Sequence, residues 1–100
     1  MAYKIEWTFN ADISFTEESN FILSKWNVSE VHKFEELVSQ NLERISINPT
    51  IGNFKYKNLY SLVVYKQTTI YYRVNNQTNT IQIIVFWNNL KNPNDLIKLL

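Results

Sequence analysis

One hundred residues, 45% of them hydrophobic and 15% aromatic, suffice for one compact domain spanning 1–100 and exclude a two-domain layout. No apolar run approaches the roughly 18 residues of a membrane span, and Met1-Ala2-Tyr3-Lys4 lacks the basic and apolar regions of a signal peptide, so a cytoplasmic protein with no membrane partner is expected. With no cysteine and His32 alone, disulfides, thiolate nucleophiles and sulfur- or histidine-rich metal sites are excluded, and neither cofactor nor metal is expected. Net charge is +1, but residues 1–50 carry −4 and residues 51–100 carry +5. Either the molecule is polarised, with its second half offered to phosphate or an acidic partner, or scattered lysines keep it dissolved.

Tyr3 to Phe9 alternates apolar and polar residues, which predicts a strand with Tyr3, Ile5, Trp7 and Phe9 inward. Asn10 or Asp12 then caps a helix running to about Trp26, with Ala11, Phe15, Ile22 and Trp26 inward and Glu17, Glu18 and Lys25 in water. Asn27 followed by Glu30 reads as a capping box for a second helix. In it Val31, Phe34, Val38, Leu42 and Ile45 face the core, while Glu35, Glu36, Gln40 and Glu43 stay wet. The paired acids Glu17-Glu18 and Glu35-Glu36 read as solvated, since neighbouring helical side chains diverge by about 100°, and His32 reads as a surface residue. The helix ends near Asn48-Pro49, and the only glycine, Gly52, serves a sharp turn.

Asn53 to Asn58 reads as a basic, aromatic loop carrying Lys55 and Lys57. Three strands follow, Leu59 to Tyr65, Thr69 to Val74 and Thr80 to Trp87, with links short enough to force antiparallel neighbours. Arg73, the only arginine of the second half, shares a strand face with Tyr71 and Asn75. It either binds phosphate or a partner, or pairs with a helix acid. Asn92-Pro93 opens a short tail helix from Asn94 to Leu100, whose Leu96, Leu99 and Leu100 pack on the sheet or on a partner. The expected fold is α+β in the order β-α-α-β-β-β(-α), an antiparallel meander sheet with a helical hairpin on one face.

This order resembles the RelE/ParE superfamily of bacterial toxin–antitoxin toxins. The resemblance rests on Asn10-Ala11-Asp12 after the first strand, Asn48-Pro49 with Gly52 close behind, Ile70-Tyr71-Tyr72-Arg73-Val74, and a tail reaching Asn92-Pro93. It implies the toxin of a type II pair, in the ParE-like or plasmid-stabilisation branch, neutralised by a cognate antitoxin and free to form a homodimer. Two targets are known in the superfamily: DNA gyrase, poisoned by ParE-like members, and messenger RNA on the ribosome, cut by RelE-like members.

A metal-independent endoribonuclease would need a base, cations for the phosphate and a donor for the leaving oxygen. The resemblance gives the base to the loop lysines Lys55 and Lys57 and the phosphate grip to Arg73, and leaves Tyr71 or Tyr72 as the substitute donor. Tyr60 and Leu90 stand where relatives often carry arginine, and the last strand ends in Phe86-Trp87 with no obvious acid. Trp87 either caps the core or stacks a base. Trp87, Lys66, Lys91, Leu96 and Leu99 are the expected binding positions. A third expectation is a non-toxic antitoxin-binding or structural module.

Overall fold

The computed structural model describes residues 2–100. Strand β1 (Lys4–Trp7) leads into helices α1 (Phe9–Lys25) and α2 (Val28–Ile47), then strands β2 (Asn53–Tyr56), β3 (Leu59–Tyr65), β4 (Thr68–Asn75) and β5 (Thr80–Asn88), and a short helix α3 (Pro93–Ile97). The sheet order is β1-β5-β4-β3-β2. The meander is antiparallel as expected, and β1 adds to its far edge parallel to β5, pairing Ile5 with Ile81 and Trp7 with Ile83. The helical hairpin covers one face, with α1 over β5 and α2 over β3. α3 lies on the other face.

The core between hairpin and sheet is built from the alternation and helical periodicity read above. Ala11, Ile22, Phe34, Val38 and Ile45 meet Ile70, Tyr72, Val74, Ile81, Ile83 and Phe86, with Tyr3, Ile5, Trp7, Phe15, Val31 and Leu42 packed around them. Phe15 stacks on Phe34 at 5.5 Å and meets Trp7 edge-on at 5.4 Å. Asn27 caps α2 through its side chain, which accepts from the Glu30 N–H at 2.9 Å, and Glu35, Glu36, Gln40 and Glu43 are exposed.

Six local expectations are corrected. Phe9 is 77% exposed, because β1 stops at Trp7 and Thr8, not Asn10 or Asp12, is the cap of α1. Thr8 wins because its oxygen accepts from the Ala11 N–H while its own N–H and hydroxyl donate to the Ile83 and Ile84 carbonyls of β5. The first turn of α1 thus takes over the edge of β5 where β1 leaves off, and Ser14 continues it by accepting from the Phe86 N–H. Trp26 is 37% exposed, held between Lys25 and Lys66 at 5.3 and 4.5 Å from its ring. Glu18 is buried, only 3% exposed. Asn53 to Tyr56 is a strand, joined to β3 across a bulge, and the tail helix, capped by Asn92 and opened by Pro93 as expected, stops at Ile97 rather than Leu100.

Gly52 also has a different reason from the one expected. Its φ is not positive. A Cβ there would lie 2.6 Å from Tyr72 Oη and 2.7 Å from the Ser61 carbonyl oxygen. The residue is glycine because the segment after α2 must press against β3 and β4.

Candidate functional site

On the face away from the hairpin, alternation places Thr69, Tyr71, Arg73 and Asn75 of β4 beside Trp87, Val85, Gln82 and Thr80 of β5. The chain after β5 folds across this face. Asn89 donates its N–H to the Gln67 carbonyl at 2.7 Å and its amide to Thr69 Oγ1 at 2.9 Å. Asn92 then caps α3, accepting from the Asn94 N–H with Pro93 at the first helical position. Leu96, Leu99 and Leu100 pack on Tyr71, Ile84, Val85 and Trp87 as a second, smaller apolar cluster.

Arg73 lies where the tail ends. Its guanidinium donates to the Leu100 carbonyl at 2.7 Å and, more weakly, to Asn58 Oδ1 at 3.3 Å. Among the described residues no side-chain carboxylate pairs with it within 4 Å, so the helix-acid role is not taken up. Beside it a polar cleft of about 380 Å³ opens over β1, β5 and β4, lined by Glu6, Asn58, Gln82, Asn75, Thr78 and Thr80 among others. Register sets Glu6, Gln82 and Arg73 on one rung across three strands.

The structure brings few of the expected site residues to Arg73. Lys55 is on the exposed edge strand β2, and Lys57 occupies the β2–β3 turn with φ 52°. Neither lines the cleft, although Asn58, next in the chain, does. Trp87 is almost wholly covered by the tail, with Lys91 5.9 Å from its ring. Leu96 and Leu99 face the sheet rather than solvent. Among the described residues no group of acidic or histidine side chains converges as a metal site, and no helix is long and apolar enough to cross a membrane.

Lys66 is engaged elsewhere, 3.1 Å from Glu30 Oε1, which also accepts from the Tyr65 hydroxyl. That hydroxyl, and then Lys66, hold the Glu30 carboxyl below the usual carboxylate range. Burial, reinforced by Glu30, pushes the Tyr65 phenol up to about 12. Burial also raises the phenols of Tyr71 and Tyr72.

The signs of the two effects differ. The Glu30 contribution to stability is present above the ordinary carboxylate pKa and lost as pH falls. The Tyr65 contribution is present below the ordinary phenol value of 10.0 and lost as pH rises toward about 12. Denaturant titrations at several pH values should therefore show an alkaline loss of stability that is smaller in Tyr65→Phe. Equal alkaline loss in both proteins would disprove the assignment.

Two features of this site were missed by the sequence reading. The first is the rung Glu6, Gln82, Arg73, which follows from the pairing of the first strand with the last, a long-range choice that leaves no local mark. The second is Glu18, which accepts from the Thr68 hydroxyl and from Gln67 Nε2 at 3.3 Å, and so locks the β3–β4 turn to α1. Its signal was present but ambiguous: Glu18 lies seven residues after Ala11 and four before Ile22, on the same helical face.

No protein-family model matches the chain, and no curated protein matches it significantly in sequence. Solved structures do. The chromosomal ParDE toxin–antitoxin system of P. aeruginosa superposes with a TM-score of 0.70 at 13% identity, covering 87% of this chain and 96% of the other. A double mutant of E. coli toxin RelE in the free state gives 0.61 at 13% identity over 88% and 84%. The toxin–antitoxin complex RelBE2 of Mycobacterium tuberculosis gives 0.58 at 15% identity over 88% and 99%.

Proposed function

On the RelE/ParE toxin fold that those superpositions establish, we propose that this chain is the toxin of a type II toxin–antitoxin pair. It is neutralised by a cognate antitoxin, belongs to the ParE-like or plasmid-stabilisation branch, and acts on DNA gyrase in the cytoplasm. Of the three superpositions reported, the one on the ParDE system has the highest TM-score.

The observation that carries the branch is the surroundings of Arg73. Cutting RNA through its own 2′-hydroxyl needs a base, several cations and an acid around one phosphate. Here one guanidinium meets a carbonyl and an amide, a carboxylate stands on the same rung, and Lys55 and Lys57 line no part of the cleft. A site of this composition suits recognition of a protein better than cleavage of a polyanion.

Induced expression in a bacterial host tests the reading. Growth should stop, and co-expression of the antitoxin encoded beside the gene should restore it. Transcripts should stay intact while gyrase-linked DNA damage accumulates. No growth defect would sink the toxin assignment and leave a non-toxic module. Messenger RNA cleavage that disappears in Arg73→Ala and in Lys55→Ala would instead favour the ribosome-dependent endoribonuclease.

A further inference from the structure

Two opposite charges face the polar cleft, and the fold makes little use of either. Glu6 and Arg73 lie on one rung of the same sheet face with Gln82 between them. Neighbouring strands are about 4.8 Å apart, so the two residues stand roughly 10 Å apart. Among the described residues the one cation paired with Glu6 is Lys4, at 3.7 Å, and both side chains are more than half exposed. Such a surface pair contributes little and is easily exchanged. Arg73 holds a main-chain oxygen of Leu100 and one amide oxygen, which leaves part of its five-donor fork unused.

The rest of the lining narrows what could bind. Among the described residues no aromatic ring lines the cleft, so a nucleobase would have nothing there to stack on. A carboxylate faces the same space as the guanidinium, and it would repel the second negative charge of a phosphate. Asn75, Thr78, Thr80 and Gln82 supply donors and acceptors suited to peptide groups. Arg73 already grips the main-chain oxygen of Leu100 at 2.7 Å.

We infer that the cleft between Glu6 and Arg73 docks a dipolar polypeptide segment, with an acidic side chain on Arg73 and a lysine or arginine on Glu6. Such a site would add orientation to an interface, since a reversed segment would set like charges against each other. The inference is independent of whether the chain is a toxin.

The test uses the full chain labelled with ¹⁵N and a blocked tetrapeptide with lysine first and aspartate last, whose ends are about 10 Å apart when extended. Saturable shifts are expected at the amides of Asn75, Thr80 and Gln82, with Kd on the order of 1 mM. Binding should weaken about two- to fivefold in Glu6→Gln, a change at the exposed sheet edge that leaves the core untouched, and equally when the peptide lysine becomes glutamine. Inorganic phosphate should produce no comparable saturation. Shifts that do not saturate by about 10 mM, equal binding by Glu6→Gln, or equal binding of phosphate would each overturn the proposal.

Discussion

Replacing Gly52 by alanine is expected to lower stability by about 2–3 kcal/mol, near the upper end for overpacking of a filled site. For a domain of this size that is a fall in Tm of roughly 10–20 °C. The new methyl group would meet the Ser61 carbonyl at 2.7 Å, which belongs to β3, a strand paired on both sides, and has little room to retreat. It would also meet Tyr72 Oη at 2.6 Å. Tyr72 is fully buried; its hydroxyl donates to the Pro49 carbonyl at 2.7 Å and accepts from the Gly52 N–H at 3.1 Å. Relieving the clash would therefore break the bonds that tie the end of α2 to β4. Tyr72→Phe separates the causes. It removes the hydroxyl, so Gly52→Ala should cost less in that background than in the natural chain. A loss below about 0.5 kcal/mol in the single variant, the usual range for surface changes, would show that the segment can move aside.

Glu18→Ala should cost about 2–3 kcal/mol. Two hydrogen bonds to a carboxylate are lost; the Thr68 hydroxyl is left buried without its acceptor, and the Gln67 amide keeps only its bond to Thr68 Oγ1 at 3.1 Å. Opposing this, the fold no longer has to bury a carboxylate that has no cation beside it. The hydrogen-bond loss wins, because Thr68 is 0% exposed and water cannot reach it to compensate. Glu18→Gln keeps one accepting oxygen and loses the charge, so it should fall between the natural chain and the alanine variant. Equilibrium denaturation of the three proteins gives the ranking. An alanine variant as stable as the natural chain would mean that the latch contributes nothing.

The meander, the helical hairpin and the boundary at Asn27 were legible in the sequence because each has a local physical cause: period two, period 3.6 and a capping side chain. The failures share a different cause. Phe9 and Trp26 sit at element ends, where periodicity no longer determines direction, and backbone bonds to β5 or stacking with lysine decided their places. Glu18 obeyed the helical spacing of the core, but its charge argued for water until the partners Thr68 and Gln67, about fifty residues away, were known. Lys55, Lys57 and Arg73 were grouped through family resemblance. Their separation between an edge strand, a turn and a cleft depends on a β-bulge and a positive φ that no residue type announces.

The parallel pairing of β1 with β5 also bears on how the chain is made. β5 is the hydrogen-bonded neighbour of both β4 and β1, and it supports the first turn of α1. On a ribosome, residues 80–88 emerge long after β1 and α1, so until then the first strand has no partner and the hairpin has only part of its floor. Closing contacts that span over seventy residues is slow. The first strand would therefore dock in a late step, and a synthesis halted before residue 80 would yield a chain that lacks the strand β1 joins.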